Sequence, residues 1–147
     1  MKTATWVLAT ALGIGGCDAT MMSDPDRMRS MIDDARLENE AHRDAAASAT
    51  TLTDMRGEMT RHDALMDHLM DDMGMQMDGM SHCTGAGMQD LRGMHEDAEG
   101  EMTGHRTAMA ATTELAAAAT EVDRHVDAMH MMLAGMGAAT ARMGCGM

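Results

Sequence analysis

The sequence predicts an all-α protein, an antiparallel up-down four-helix bundle made of two duplicated helical hairpins. Three observations predict this fold. The chain repeats itself at an offset of 63 residues, and its apolar side chains recur at spacings of three and four. No strand-length run of β-branched or aromatic residues competes with the helical pattern. A chain of 147 residues has room for one small domain.

The first 16 residues have the shape of a signal peptide, with Lys2 followed by an uncharged stretch. The motif Ile14-Gly15-Gly16-Cys17, at the end of this segment, resembles the bacterial lipobox. The invariant Cys of a lipobox is lipidated and becomes the first residue of the mature protein. The resemblance implies that Cys17 carries lipid and that the protein is extracytoplasmic, anchored to the inner or the outer membrane of a bacterial envelope. An ordinary cleaved signal with an incidental Cys is the alternative.

The rest of the chain is a tandem duplication. Without a gap, residues 29–74 match residues 92–137 at 17 of 46 positions, where this composition gives roughly 5 by chance. The sequence therefore predicts a lipidated tether at 17–24, a first hairpin at 25–74, a Met- and Gly-rich linker at 75–87, a second hairpin at 88–137 and a Met/Cys tail at 138–147.

Local signals mark some of the helix ends. The segment Ser23-Asp24-Pro25-Asp26 offers a polar N-cap, a proline in the first turn and an acidic residue at the positive end of the helix. Gly74 and its repeat equivalent Gly137 are predicted C-caps. The linker between the hairpins is expected to be flexible because of its glycines.

A turn in the middle of each unit follows from histidine spacing. On one continuous helix His42 and His62, 20 residues apart, lie on nearly opposite faces at about 100° per residue. If the chain turns near Leu52, both face inward at one level, and a turn near Leu115 has the same effect in the second unit. The alternative is two very long helices that need a partner chain.

Composition excludes several classes of function. The formal net charge of −13 argues against nucleic-acid binding, which needs cations facing phosphates. With 23 Met, one Trp and no Phe or Tyr, the core must be built from Met and Ala. The sequence has neither a phosphate-binding glycine loop nor a nucleophile elbow, so we do not expect an enzyme. A di-metal redox centre stays open as an option.

A repeated Glu-x-x-x-His pair is one candidate metal site. Its members are Glu38, His42, Glu58, His62, Glu101, His105, Glu121 and His125. In the hairpin arrangement the histidines fall at one level, and helical bundles hold metal ions with such side chains. The logic is similar to that of the ferritin-like carboxylate bundles, although those use Glu-x-x-His. A polar layer of Glu–His hydrogen bonds and pairs on the surface are the alternatives.

The other candidate site gathers thioether, imidazole and thiol groups at the end of the bundle away from the turns. Its members are Met70, Met73, Met75, Met77, Met80, His82, Cys83, His130, Met131, Met136, Met143 and Cys145. These groups suit copper or silver, and the strongest argument is the segment MGMQMDGM, expected in a linker where no core needs packing. Core filling by Met, docking of a partner's apolar helix and a Cys83–Cys145 disulfide are the alternatives.

The sequence thus predicts an envelope lipoprotein that binds copper or silver ions for sequestration or delivery. Its expected partners are the membrane, through Cys17, and a metal-donor or metal-acceptor protein. The mature part loosely resembles Met/His-rich metal-binding four-helix bundles. The alternative is a structural or interaction lipoprotein with a Met-packed core and no metal, and the oligomeric state is left open.

Overall fold

The structure is a computed structural model that describes residues 24–145. In that range it contains four α-helices and two strands of two residues each. Their bounds are α1 Asp24–Ser48, α2 Leu52–Gly79, β1 Cys83–Thr84, α3 Ala86–Ala111, α4 Leu115–Ala141 and β2 Gly144–Cys145. The all-α class is confirmed: α1 packs against α2 and α4, and α3 packs against α4.

Several predictions concern residues outside the described range. These are the signal peptide at 1–16, the lipobox with Cys17, nearly all of the tether at 17–24, and the last two residues of the tail. Among residues 24–145, no helix combines the length and the apolar character needed to cross a membrane.

Each repeat unit folds as two helices, with breaks at 49–51 and 112–114 as predicted. In the first unit Thr51 and Asp54 form a capping box, each side chain accepting a hydrogen bond from the other's backbone N–H. In the second unit Glu114 occupies the N-cap position without a side-chain cap bond. Both units therefore break at the same place with and without a cap, and in each unit the break lies between two buried histidines.

The predicted ends of the second helix of each unit are wrong. Helix α2 continues through Gly74 to Gly79, and α4 continues through Gly137 to Ala141. The first part of the predicted linker is thus an extension of α2, and the connection to α3 shortens to residues 80–85, which include β1.

Burial explains why α2 does not stop at Gly74. Met77 and Met80 continue the buried face of the helix and are 3% and 1% exposed. A glycine inside a helix costs roughly 0.5–1 kcal/mol. Burying a Met side chain stabilises by about 1.5–3 kcal/mol, so continuing the helix is favoured.

Two apolar clusters fill the bundle. The turn-end core consists of Ala46, Met55, Met59, Met109, Ala118, Val122 and Val126. The disulfide-end core consists of Met28, Ile32, Ala35, Met66, Met70, Met73, Met77, Met80, Cys83, Met88, Leu91, Ala98, Met102, Met129, Leu133, Met136 and Ala139. Each helix carries one fully buried histidine at or next to the boundary between the two clusters, so a polar layer divides the interior.

The disulfide-end core is closed by a covalent link between the two units. Strand β1 pairs antiparallel with β2, which places Cys83 opposite Cys145, and a disulfide joins them. Gly85 has a φ of +100°, in the region that favours glycine. At Gly87 an added Cβ would lie 2.7 Å from the carbonyl oxygen of Ala139. These two glycines let the chain turn and allow α3 to approach the end of α4.

Candidate metal centre

Four histidines, one from each helix, form a layer across the bundle. His42, His62, His105 and His125 are each 0% exposed, and we call them the histidine layer. The rings of His42 and His62 stack with centroids 3.9 Å apart, as do those of His105 and His125. Rings from different units meet edge to face, at 5.5 Å for His62 and His125 and 5.7 Å for His42 and His105. The predicted convergence of the four imidazoles is thereby realised.

Every imidazole in the layer is held through Nδ1 by a glutamate of the neighbouring helix. In the first unit the partners are His42 with Glu58 and His62 with Glu38, both at 3.1 Å. In the second unit His105 lies 3.1 Å from Glu121 and His125 lies 3.0 Å from Glu101. The Glu-x-x-x-His pairs of one helix thus cross over to those of the next.

An arginine joins the two glutamates of each unit. Arg61 donates two hydrogen bonds to Glu58, at 2.9 and 2.6 Å, and one to Glu38 at 2.9 Å. Arg124 makes the equivalent contacts in the second unit, with Glu121 and Glu101. Such bidentate, charge-assisted bonds fix the carboxylates, and the carboxylates fix the rings.

The histidine layer is neutral at physiological pH. Burial lowers the pKa of all four imidazoles, to about 2 for His62 and about 4 for His125. For His42 and His105, burial outweighs the hydrogen bond from the glutamate, which acts to raise the pKa. The four rings therefore carry no positive charge when the protein is folded near pH 7.

Glu58, Glu101 and Glu121, in contrast, are ionised. Hydrogen bonds from Arg124 lower the pKa of Glu121 to about 2. Burial acts to raise the pKa of Glu58 and Glu101, but hydrogen bonds from the arginines and histidines outweigh it, so both values lie below the ordinary one. Ionised carboxylates accept hydrogen bonds only, which assigns the proton of the neutral His42, His105 and His125 rings to Nδ1. The Nδ1 atom of His62 faces Glu38 in the same geometry.

The Nε2 atoms consequently carry lone pairs. The Nε2 atoms of His42 and His105 are buried and have no hydrogen-bond partner among the described residues. The Nε2 atoms of His62 and His125 lie 3.4 Å apart. Two imidazole nitrogens bound at about 2.0–2.1 Å to one tetrahedral ion are about 3.3–3.4 Å apart, so this pair has the spacing of two metal ligands.

The rings of His42 and His105 do not complete a ligand set with the close His62–His125 pair. Within residues 24–145, the only His, Cys, Asp and Glu residues that bring three ligand atoms within 4.8 Å of one another are His82, Cys83 and Cys145. An ion bound by all four imidazoles therefore requires His42 and His105 to move toward the close His62–His125 pair. Their unpartnered Nε2 atoms lose no hydrogen bond in that movement.

The four glutamates that were predicted as metal ligands contact the histidine rings instead. Glu38, Glu58, Glu101 and Glu121 lie on the Nδ1 side of the rings, where Arg61 and Arg124 also contact them. They orient the imidazoles, as carboxylates next to metal-bound histidines do. Arg61 and Arg124 already occupy these carboxylates, so a pair of metals bridged by them would have to displace both arginines.

Most of the predicted thioether ligands are core residues. Met70, Met73, Met77, Met80 and Met136 are at most 3% exposed and belong to the disulfide-end core. Met75 and Met131 are instead 65% and 73% exposed. The prediction that MGMQMDGM lies in a linker with no core to pack is wrong. The segment is helical through Gly79, and its inward methionines pack a core.

The other members of this second candidate site are Met143, His130, His82, Cys83 and Cys145. Met143 packs partly buried against the disulfide-end core, and the half-exposed His130 lies 3.2 Å from Glu40. His82, Cys83 and Cys145 do come together, and the disulfide holds both sulfurs in oxidised form.

Sequence reasoning missed the two arginines. Arg61 and Arg124 occupy equivalent positions of the duplication, each immediately before a histidine of the layer. A comparison of the units for matched charged residues, rather than for metal-ligand types alone, would have included them.

The fold and site define an all-α bundle with a buried, neutral histidine layer. Comparison with known proteins finds no matching family model, no similar curated protein and no similar solved structure.

Proposed function

We propose that this chain is a copper-binding protein of the bacterial envelope, in which the histidine layer binds the ion for sequestration or delivery. The observation that carries the proposal is the orientation of the four imidazoles. Each is fixed through Nδ1 by a glutamate carboxylate, which leaves the Nε2 atoms of all four rings inside the bundle as potential ligands.

Copper is the ion of choice for chemical reasons. Imidazole nitrogen suits copper, zinc and nickel, and among divalent ions Cu²⁺ forms the most stable complexes with such ligands. The layer is neutral, so a cation enters without repulsion from protonated rings. The net charge of −13 adds a favourable field for cations.

The proposal includes an antiparallel up-down order of the helices, with each unit forming a hairpin. Its support is the pattern of contacts within a unit. As residue numbers rise on one helix they fall on the next, from Glu38 with His62 to His42 with Glu58. The second unit repeats the pattern with Glu101, His125, His105 and Glu121.

A titration of the full-length, disulfide-oxidised chain with Cu²⁺ in the presence of a competing chelator tests the function. We expect one tightly bound equivalent and nitrogen hyperfine coupling from histidine in the electron paramagnetic resonance spectrum. At a free copper concentration of 100 times Kd, the bound ion should raise the free energy of unfolding by about 2.7 kcal/mol.

The matched variants are H62A, within the layer, and H68A, whose imidazole is 74% exposed on the same helix. H62A should lose the tight equivalent and H68A should keep it. If wild type binds copper only through oxygen ligands, or no better than H62A, the function is wrong. The spectrum of the wild type decides the matter even if H62A does not fold.

The envelope location and lipid anchor are a separate part of the proposal. They are supported by the lipobox-like Ile14-Gly15-Gly16-Cys17 and by the signal-like segment before it. Labelling of bacterial cells with a tagged fatty acid should mark the wild-type chain and not C17A. Labelling of both, or of neither, would contradict the anchor without affecting the metal site.

A structural protein without metal is the second candidate. It is favoured by the complete pairing of every Nδ1 and every glutamate in the layer, which would fix helix register on its own. The copper titration separates the two candidates, since a purely structural layer predicts the same weak binding in wild type and H62A.

A further inference from the structure

We propose a second metal site, controlled by redox state, at the Cys83–Cys145 disulfide. Reduction of the disulfide would turn His82, Cys83 and Cys145 into a site for a soft monovalent cation, Cu⁺ or Ag⁺. The ligand atoms of these three residues already lie within 4.8 Å of one another. This site lies beyond the disulfide-end core from the histidine layer and does not depend on the proposed function.

Backbone pairing brings the two cysteines together in addition to the disulfide. Strands β1 and β2 pair in a register that sets Cys83 opposite Cys145, with their Cα atoms 4.0 Å apart. The close approach at Gly87 and the ion pair between Arg142 and Asp90 at 2.9 Å fasten the surrounding helix ends. We therefore expect both thiols to stay adjacent after reduction.

The imidazole of His82 has one nitrogen engaged by a carboxylate, which leaves Nδ1 as the nitrogen that would bind a metal. Its Nε2 lies 3.2 Å from a carboxylate oxygen of Asp24. A carboxylate that accepts the N–H of one ring nitrogen leaves the lone pair on the other, which is the usual arrangement at metal-bound histidines. Two thiolates and one imidazole form a ligand set that suits Cu⁺ and Ag⁺.

The chemistry balances with a dithiol reductant. The reductant transfers two electrons and two protons: the Cys83–Cys145 S–S bond breaks, two S–H groups form, and the reductant closes its own disulfide. Cation binding then releases the thiol protons. Reoxidation by exchange with a protein disulfide re-forms the Cys83–Cys145 S–S bond, and the exchange partner takes the two electrons and becomes a dithiol. This step removes both thiolates and releases the cation.

The test compares oxidised and reduced full-length chain in an anaerobic Cu⁺ titration against a chromogenic chelator. The reduced chain should bind one equivalent more than the oxidised chain, with a thiolate-to-copper charge-transfer band in the ultraviolet. That band is readily observed because the chain has one Trp and no Tyr. Equal numbers of equivalents in the two forms would overturn the proposal, and this comparison needs no substitution.

Two variants locate the additional ion. C83S/C145S should lack it in both redox conditions, whereas its retention would overturn the site. H82A should bind it at least about tenfold more weakly, the minimum cost of losing even an outer-sphere partner, and H68A should not change the affinity. An unchanged affinity in H82A would overturn the role of the imidazole. Circular dichroism of each sample verifies the helical content before titration.

Discussion

The histidine layer and the disulfide-end core are both rich in groups that bind copper, yet they are built in opposite ways. In the layer, outer partners fix one nitrogen of each ring and leave the other nitrogen without a protein partner, as at His42 and His105. In the core, thioethers such as Met73 and Met136 are fully buried against one another.

The difference shows that ligand orientation matters more than ligand density. A thioether packed in a core stabilises the fold through its contact area, as Leu would. An imidazole that is buried and held by a glutamate keeps a lone pair that nothing in the protein uses. The proposed metal site is the layer, where the protein has committed hydrogen bonds to positioning the side chains.

Acid should produce the largest difference between the two regions, because the layer holds four fully buried imidazoles whose pKa values are lowered by burial. Folded His62 and His125 have pKa values of about 2 and about 4, against 6.5 when unfolded. Below pH 6.5 the unfolded chain binds more protons, so the free energy of unfolding of the metal-free protein should fall as pH drops from 6.5 toward 4. Urea unfolding at pH 7.5 and 5 measures this fall.

The chosen pH range isolates the histidines, since the carboxylates contribute only as pH falls through the unfolded value of 4.5. Protein loaded with copper is the control. Imidazoles bound to copper resist protonation, so the loaded protein should unfold at a lower pH than the metal-free protein. A free energy of unfolding that is the same at pH 7.5 and 5 would show that the layer is not buried in neutral form.

Reduction of the disulfide should affect the other region next most strongly. The cysteines are 62 residues apart, and a cross-link closing a loop of that length stabilises by about 4 kcal/mol in the chain-entropy treatment. Urea unfolding of C83S/C145S should reveal a loss of that order, while one Cu²⁺ equivalent still binds in the layer. A loss of the Cu²⁺ equivalent would mean that the two regions are not independent.

Removal of an arginine behind the layer should weaken metal binding without removing a ligand. R124Q leaves Glu121 and Glu101 without their shared partner, and outer-sphere changes of this kind cost about 10–100-fold in metal affinity. The matched control is R29Q, which removes an exposed ion pair with Asp26 and should have little effect. Competition titrations measure both, and equal Kd values for the two variants would contradict the positioning role.

Replacement of thioethers in the disulfide-end core should have the smallest effect. M73L and M136L conserve volume, so we expect a change in the free energy of unfolding below about 1.5 kcal/mol. Copper stoichiometry and affinity should be unchanged in both variants. If either one loses an equivalent, the thioethers of this core are metal ligands and the contrast between the regions fails.

Much of the fold and half of the site could be predicted from the sequence. The 20-residue separation of His42 and His62 was enough to predict a turn, because only a turn brings both rings inward. Helix α2 shows the limit of such reasoning: Gly74 is a typical C-cap, but the methionines after it bury enough surface to keep the helix going.

The inner arrangement of the layer was beyond sequence spacing. A spacing of four places Glu58 and His62 on one helix face, but each contacts a partner on the next helix. Which ring nitrogen meets a carboxylate depends on side-chain rotamers and on Arg61, and periodicity determines neither. Disulfide formation could not be predicted for a similar reason, since only the pairing of β1 and β2 brings Cys83 to Cys145.

The close pair His62 and His125 consists of equivalent residues of the duplication, 63 positions apart. Each unit supplies two imidazoles, two glutamates and one arginine, so one unit holds half of the layer. Two copies of a single unit, related by a two-fold axis, would assemble the same constellation at their interface. Gene fusion would then have turned an interface between two chains into the interior of one chain. After fusion each half could diverge, and Asn39 and Met102 already differ at one equivalent position.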